Sequence, residues 1–354
     1  MPERILMKGN EALAEAAVLA GCLHFYGYPI TPQTEINAYL ARRLPRIGGT
    51  YLQAESEIAA INMVLGTASA GLRAMTSSAS PGISLKTEGI SYLVGSDLPC
   101  LIVNVQRGGP GLGSIQPSQA DYNQATKAPG HGDAHVLVFA PASVQEMVDM
   151  PFKAFELAEQ YRVPAMILAD GLLGQMMEPV VFRDIQVKKT DKPWATVGHN
   201  NTRKPNIINS LHLDPVELEK TVLERYERYA RIEEKEVMAE HYMTDDAELI
   251  VVAYGATSRI ARSAVDQARG MGLKTGLLRP ITLWPFPKTE LRRLAGRVKH
   301  MLTVEMNMGQ MVYDVQLACE GEAKVHFYGR TGGMAPSPRE VLTAIEDIFG
   351  RERL

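Results

Sequence analysis

Short apolar runs alternate with helical patterns along most of this chain, and this alternation restricts the possible folds more than any other feature. The runs "LHFYG", "RAMTSS", "CLIVNV", "HVLVFA" and "PAMILA" have strand length, and segments with helical spacing, such as "QTEINAYLARRL", separate them. Such alternation is typical of strands joined by covering helices. The sequence therefore predicts an α/β fold built around a mostly parallel sheet.

The regular pattern is interrupted after Asp170. Pro, Gly and Asn are scattered through the next stretch, the charged segment "DPVELEKTVLERYERYARIEEKEVMAEHY" follows, and a second α/β series starts at "AELIVVAYG". The length of 354 residues also exceeds the ~250 to 300 residues that one core usually supports. We predict a first domain over residues 1–185, a connecting arm with a charged helix over 186–246, and a smaller domain of roughly four strands over 247–354.

Charge and hydropathy exclude two classes of partner. The net charge of -3 gives no basic surface for nucleic acid or an anionic membrane. No run approaches ~18 consecutive apolar residues, and the charged start "MPERILMKGN" lacks the apolar core of a signal peptide. We expect a soluble, cytoplasmic protein.

The three cysteines, Cys22, Cys100 and Cys319, are isolated from one another and lie among apolar residues. They can form neither a disulfide framework nor a CxxC metal or cluster site. We interpret them as buried thiols and predict no metal site in this chain.

Nucleotide-binding fingerprints are also missing. Neither G-x-G-x-x-G between a strand and a helix nor G-x-x-x-x-G-K-[ST] occurs, and the Gly-rich "RGGPGLGSIQPSQ" lacks a terminal Lys. We interpret this stretch as a loop and Asp170 as part of a strand-end turn. His131 and Asp133 in "GHGD" could act as a base or metal pair, although such residues more often cap the backbone.

Three polar residues follow predicted strands directly. Thr31 lies in "GYPITP", Glu57 opens the helix in "QAESEIAAINMVLG", and Arg107 follows "IVNVQ". Because ligands in parallel sheets bind where strands end and helices begin, we expect the three to meet at one edge. Each also has a structural alternative: Thr31 could cap a turn, Arg107 could pair with a carboxylate, and Glu57 could serve the helix start.

Several motifs in order resemble the alpha subunit of the 2-oxoacid:ferredoxin oxidoreductases. They are "YPITP", "QAESEIAAINMVLG", "MTSSASPGISL", "IVNVQRGGPGLGSIQPSQADY" and "LLRPITLWPFP", and the loop "GSIQPSQADYNQATKAPGHGD" is most similar to the branch for 2-oxoisovalerate (3-methyl-2-oxobutanoate). This resemblance implies a thiamine-diphosphate-binding-type pyrimidine domain, followed by a transketolase C-terminal-like domain.

The resemblance also implies the activity. The expected reaction is CoA-dependent oxidative decarboxylation of a 2-oxoacid, either branched-chain or 2-oxoglutarate, to acyl-CoA and CO₂ with reduction of ferredoxin. Thiamine diphosphate would be shared with a beta subunit, Mg²⁺ and a [4Fe-4S] cluster would lie in partner subunits, and gamma and delta chains would complete the complex.

Residue roles follow from the same resemblance. Glu57 would hydrogen-bond the aminopyrimidine ring of the cofactor and favour its imino tautomer, and Pro29 would lie beside that ring. Thr31 and Arg107 would contact the carbonyl and the carboxylate of the substrate. Glu55 would be an ordinary helix-start acid.

Two alternatives stay open at this point. The chain could be a non-catalytic assembly subunit, in which case the polar residues only cap the backbone. It could also belong to a non-oxidative thiamine diphosphate-dependent decarboxylase. Cofactor binding tests the first alternative, and formation of acyl-CoA with reduced ferredoxin tests the second.

Overall fold

Two mostly parallel sheets carry the fold in the computed structural model, which describes residues 4–183, 185, 187 and 190–352. The strands of this part of the chain are β1 Ile5–Lys8, β2 His24–Gly27, β3 Thr50–Gln53, β4 Ala74–Ser78, β5 Leu101–Gln106, β6 Leu137–Phe139, β7 Ala165–Asp170, β8 Met177–Val180, β9 Ala239–Tyr242, β10 Leu249–Val252, β11 Thr275–Pro280, β12 Thr282–Trp284, β13 His300–Glu305 and β14 Lys324–Gly329. The helices are α1 Gly9–Leu19, α2 Thr34–Arg43, α3 Glu57–Ser69, α4 Ser80–Gly95, α5 Tyr122–Thr126, α6 Val144–Tyr161, α7 Gly171–Gln175, α8 Pro215–Lys235, α9 Gly255–Gly270, α10 Lys288–Ala295, α11 Met311–Cys319 and α12 Pro338–Glu352, with a 3₁₀ turn at Pro45–Ile47.

The first sheet has the strand order β12-β6-β7-β5-β4-β2-β3. All neighbours pair in parallel except β12, which runs antiparallel to β6. Every residue of β4, β5 and β7 is buried, because helices cover both faces of the centre of a parallel sheet. The predicted α/β fold with a mostly parallel sheet is confirmed.

The edge strand β12 comes from the later part of the chain. Thr282 lies opposite Phe139, and Trp284 lies opposite Val138. The second α/β series therefore contributes a strand to the first sheet, and no pattern in the sequence predicted this pairing. The domain boundaries at 185 and 246 remain a prediction.

The second sheet has the order β14-β13-β10-β11-β9. It contains one strand more than predicted, because the charged helix α8 ends at Lys235 and residues Ala239–Tyr242 form β9, antiparallel to β11. Helix propensity alone would extend α8 further, but main-chain pairing with β11 outweighs it. The start of α8 is fixed by Asp214, whose side chain accepts a 3.0 Å hydrogen bond from Val216 N.

A two-stranded antiparallel pair, β1 with β8, lies beside the first sheet and was missed. Its strands have four residues each, and Pro179 interrupts any recognisable period in the second. No helix in the described part of the chain combines the length and apolarity needed to cross a bilayer.

Candidate functional site

The predicted site residues lie at the carboxyl edge of the first sheet. Thr31 follows β2, Glu57 follows β3, and Arg107 follows β5 directly. Between β2 and β5 lies β4, which leads into α4. Since these strands are parallel, the segments that follow them emerge on the same side of the sheet.

Arg107 joins two of the loops at this edge. Its side chain is buried, with Nη1 donating to the carbonyl oxygen of Thr31 and Nη2 to that of Leu112, each at 3.0 Å. The buried Nε has no hydrogen-bond acceptor in the described part of the chain. The structure thus brings Thr31 and Arg107 together, and the guanidinium charge is held by neutral carbonyls. Such a group suits a carboxylate ligand.

Two buried side-chain amides hold the loop that carries Thr31 in place through hydrogen bonds. Gln33 donates from Nε2 to the carbonyl of Tyr28 at 3.2 Å, and its Oε1 accepts a 2.5 Å hydrogen bond from Ser77. Asn10 donates to the carbonyl of Pro32 at 2.8 Å. Thr31 itself is exposed at this edge, and Pro29 of the same loop is half-buried.

Glu57 is the first residue of α3 and is buried, with 6% of its surface exposed. Ser56 caps the helix by accepting a 3.2 Å hydrogen bond from Ala59 N. The Glu57 side chain packs against Gly82 so closely that a Cβ atom there would lie 2.7 Å from Oε1. Within the described residues, no donor hydrogen-bonds the Glu57 carboxylate. The residue is largely buried, but its carboxylate oxygens are not enclosed, so they can accept a hydrogen bond from a ligand at this edge of the sheet.

The role given to Glu55 was wrong. Glu55 is exposed and precedes the Ser56 cap, so it lies outside the first turn of α3. Glu57 is the acid of that turn. Glu57 is therefore both the helix-start acid and the buried acid. This is because Ser56, in an extended conformation, is the cap of α3, and Glu55 precedes it.

Ser80 at the start of α4 connects this region to Arg107. Its hydroxyl donates to Asp121 Oδ2 at 2.6 Å and accepts from Arg107 N at 3.0 Å, and Asn104 also donates to Asp121 at 2.9 Å. Burial raises the pKa of Asp121, while these two donors lower it. The start of α4 thus contacts Arg107 through Ser80 and Glu57 through Gly82.

The Ser80 and Asp121 pair was not predicted from the sequence. The motif "SASPG" does signal a helix start, since Pro is favoured in the first turn of a helix. Nothing in one sequence pairs Ser80 with an aspartate 41 residues away.

The Gly-rich loop that follows Arg107 is anchored on the second sheet through Gln119. Its Nε2 donates to the carbonyl of Tyr254 at 2.9 Å, and its Oε1 accepts from Met306 N at 3.1 Å and from the Thr257 hydroxyl at 2.8 Å. Gln119 is fully buried. The predicted loop is therefore held at its base between the two sheets.

Asp170 ends β7 and caps the following turn, as predicted. Its Oδ1 accepts from Leu173 N at 3.1 Å, and its Oδ2 accepts from Ala256 N of α9 at 3.0 Å. Complete burial raises the pKa of Asp170 from 3.8 to about 6, although main-chain donors oppose this shift. Asp170 therefore joins the first sheet to a helix of the second.

The remaining candidates lie away from this edge or stay unassigned. His131 and Asp133 are both exposed, and no hydrogen bond between them is formed in the described part of the chain. All three cysteines are buried and unpaired with one another. Burial raises the pKa of Cys22 to about 12 and that of Cys319 to about 11, so both are protonated thiols at neutral pH.

The residues around Glu57 fit a nitrogen-containing ring. The buried Ser78 hydroxyl has no hydrogen-bond partner and the Glu57 carboxylate has no donor within the described residues, and the absence of a side chain at Gly82 makes room for the carboxylate beside α4. An ionised carboxylate accepts hydrogen bonds, so a protonated ring nitrogen or an amine is a suitable ligand. Thiamine diphosphate presents such a ring in its pyrimidine.

Two family models match the chain in tandem. Residues 15–244 match the thiamine diphosphate-binding domain of the pyruvate flavodoxin/ferredoxin oxidoreductases. Residues 247–341 match core domain II of pyruvate:ferredoxin oxidoreductase. The first match covers most of the chain and includes Thr31, Glu57 and Arg107.

Similar proteins match over almost their full length. The chain is 50% identical over 346 residues to the ketoisovalerate oxidoreductase subunit VorB of Methanothermobacter thermautotrophicus, with 98% of each chain covered. It is 37% identical to the 2-oxoglutarate synthase subunit KorA of Methanothermobacter marburgensis, with 98% of this chain and 99% of that one covered.

Solved structures show the same fold. The 2-oxoglutarate:ferredoxin oxidoreductase from Magnetococcus marinus, with 2-oxoglutarate, coenzyme A and succinyl-CoA bound, superposes with a TM-score of 0.86 at 27% identity. The match covers 98% of this chain and 65% of that one. A split-gene transketolase superposes with a TM-score of 0.61 at 14% identity, which is a similarity of fold.

The match to a thiamine diphosphate-binding domain includes the edge of the first sheet where Glu57 lies, and it defines an enzyme subunit of the thiamine diphosphate-binding class. Within that class, the chain belongs to the 2-oxoacid:ferredoxin oxidoreductase family. The family resemblance found in the sequence is confirmed.

Proposed function

We propose that this chain is the alpha subunit of a 2-oxoacid:ferredoxin oxidoreductase that converts 2-oxoisovalerate, CoA and oxidised ferredoxin to acyl-CoA, CO₂ and reduced ferredoxin. The observation that carries the proposal is the buried Glu57 carboxylate, which has no donor within the described part of a thiamine diphosphate-binding domain. A non-catalytic assembly subunit would have no reason to bury an acid in this way.

The preference for a branched-chain substrate rests on two observations. The relatives named for ketoisovalerate are 50% identical to this chain, whereas those named for 2-oxoglutarate in methanogens are 36 to 37% identical. The loop after Arg107 also presents Leu112 and Ile115, with 83% and 59% of their surfaces exposed. Apolar side chains suit an isopropyl group, whereas 2-oxoglutarate would need a second cation for its second carboxylate.

Each site residue then has a separate task. When bound, thiamine diphosphate supplies the carbanion chemistry of decarboxylation. Glu57 accepts a hydrogen bond from the pyrimidine ring and orients it, and Pro29 lies beside that ring. Arg107 binds the carboxylate of the 2-oxoacid. The Thr31 hydroxyl contacts its carbonyl oxygen.

The remaining components belong to partner chains in this proposal. A beta subunit completes the cofactor site and supplies Mg²⁺ and a [4Fe-4S] cluster, and gamma and delta chains complete a cytoplasmic complex. Three cysteines are too few for an ordinary four-cysteine cluster. We keep the proposed division into residues 1–185, 186–246 and 247–354.

Reconstitution with the partner chains tests this function. The complex is offered 2-oxoisovalerate, pyruvate, 2-oxoglutarate and an aryl pyruvate with CoA and a viologen acceptor, and viologen reduction and acyl-CoA are measured. We expect the highest kcat/KM with 2-oxoisovalerate, and neither iron nor activity in the chain purified alone. Aldehyde formation without acceptor reduction would support a non-oxidative decarboxylase, and absence of thiamine diphosphate binding would support an assembly subunit.

A further inference from the structure

Lys86 is completely buried in the middle of α4. Lysine side chains normally extend their amino groups into water, and they are almost never fully buried unless paired. Its Nζ donates to the Thr76 hydroxyl at 3.0 Å and to the main-chain carbonyl of Glu57 at 3.3 Å. Within the described residues it forms no ion pair. The amino group is therefore held by two neutral acceptors, one of which belongs to the proposed catalytic acid.

The packing of α4 against α3 explains this burial. Gly82, Lys86 and Gly89 are spaced i, i+4 and i+7 and so share one face of α4. A Cβ atom on Gly82 would lie 2.7 Å from Glu57 Oε1, and a Cβ atom on Gly89 would overlap the Ile61 side chain. The two glycines let the helices approach closely, and Lys86 fills the space between them under the first turn of α3.

The charge of Lys86 responds to Glu57. Burial lowers the pKa of Lys86 from 10.5 to about 8, and attraction to the Glu57 carboxylate opposes that shift. Glu57 is the charged group that faces Lys86 from α3, and β4 contributes Thr76, which does not titrate. Lys86 is therefore cationic at neutral pH and loses its proton slightly above it.

We propose that Lys86 is a positioning residue for Glu57, holding the main chain of residue 57 and placing a positive charge near its carboxylate. The inference rests on the proposed role of Glu57. A nearby cation stabilises the carboxylate as an anion. A proton shared between Glu57 and the pyrimidine nitrogen of the cofactor is thereby kept on the ring. When Lys86 becomes neutral, that bias is lost.

A purely structural lysine would behave differently. Burying a charge without an ion-pair partner is costly, so an apolar side chain of similar length at this position should not lower the stability of the fold. Lys86→Met should therefore leave the melting temperature of the complex unchanged or raise it at pH 7. The same variant should bind thiamine diphosphate more weakly. If Lys86 has only a structural role, Lys86→Met should lower the melting temperature and leave the affinity for thiamine diphosphate unchanged.

The test measures the thiamine diphosphate Kd of the reconstituted complex by titration calorimetry between pH 7 and 9.5. We expect the Kd of the wild-type complex to rise about tenfold as the pH passes through 8. This corresponds to a rise of one unit in the pKa of Lys86 when the cofactor binds, because one pKa unit is a factor of ten in affinity. Lys86→Met should already bind about tenfold more weakly at pH 7 and show no step. Lys86→Gln, which keeps N–H donors without the charge, should behave the same way.

Two further variants control for packing and for surface charge. Thr76→Val removes one acceptor but leaves the amino group, so a step should persist and shift to lower pH. Lys274→Met removes an exposed lysine paired with Glu248 and should match wild type. A wild-type pH profile in both Lys86 variants would overturn the inference. Glu57→Gln is measured in parallel. If this variant also leaves the Kd and the turnover unchanged, the proposed function fails. If Glu57→Gln is impaired but the Lys86 variants are normal, only the role of Lys86 is refuted.

Discussion

The carbonyl oxygen of Thr31 accepts a 3.0 Å hydrogen bond from the guanidinium group of Arg107, which lies 76 residues later in the chain. The second terminal nitrogen of the same guanidinium binds the carbonyl of Leu112. One side chain therefore fixes the loop after β2 and the loop after β5. Arg107 supplies both a charge and the relative position of two loops, and different substitutions separate these contributions.

We expect Arg107→Ala to raise the KM for the 2-oxoacid by about 10- to 150-fold, because a hydrogen bond to a charged group contributes ~1.5 to 3 kcal/mol. Arg107→Lys keeps the charge but cannot donate to both carbonyls in a fork, so its effect should be intermediate. Steady-state kinetics and calorimetric titration with thiamine diphosphate measure the two affinities. An Arg107→Ala complex that lost the cofactor but kept its KM would contradict the proposed role.

Glu57→Gln should leave assembly intact and lower turnover by roughly 10² to 10⁴, the range for a positioned acid–base group. The amide keeps the shape of the side chain but lacks the ionisable carboxylate. Glu55→Gln is the matched control, because Glu55 is exposed and precedes the cap of α3. The measurement is 2-oxoacid-dependent viologen reduction with cofactor content determined in parallel. Equal and small effects of both variants would favour an assembly subunit.

Gly82→Ala should displace the Glu57 side chain, since the added Cβ would overlap Ser78 Oγ and lie 2.7 Å from Glu57 Oε1. Overpacking of this kind typically costs ~1 to 3 kcal/mol of stability. We expect a lower melting temperature together with weaker binding of thiamine diphosphate. Gly66→Ala, in α3 with nothing within 4 Å of the new Cβ, is the control. It should be stabilising by about 0.5 to 1 kcal/mol and leave affinity unchanged.

Asp170 should make folding stability depend on pH between about 4 and 6. Its pKa is raised from 3.8 to about 6, so the folded chain binds this proton more tightly than the unfolded chain does. Stability from this group is therefore present below pH 4 and falls as pH rises through 6. The shift of about two units corresponds to roughly 3 kcal/mol.

Urea denaturation of Asp170→Asn and wild type at pH 4.5 and 7 measures this dependence. The free energy of unfolding of the variant relative to wild type should be higher at pH 7 than at pH 4.5. A lost main-chain hydrogen bond would lower the stability of the variant by the same amount at both pH values. Asp246→Asn serves as control because Asp246 is an exposed partner of Arg269. If the pH dependence of Asp170→Asn equalled that of wild type, the Asp170 carboxylate would not be the titrating group.

Much of the first sheet and the meeting of Thr31 with Arg107 were predictable. Both follow from alternation and from the rule that parallel strands end at one edge. Lys86 was not predicted, because a lysine in a helix normally reaches solvent. Its signal was the spacing of Gly82 and Gly89 around it, which places small residues on the same helical face.

Other elements depend on contacts that no local pattern encodes. The strand β9 forms only because β11 lies beside it, and Asp121 meets Ser80 through the long loop that follows β5. In both cases the partner is distant in sequence, and local propensity favours a different conformation or none.

The pairing of β12 with β6 has a consequence for protein synthesis. Thr282 lies opposite Phe139, so about 140 residues are translated after Phe139 before its partner is made. At ~5 to 20 residues per second, this takes about 7 to 30 s. During that interval the main-chain groups of β6 that later pair with β12 have no partner on the nascent chain. An unpaired strand edge of this kind can pair with another polypeptide.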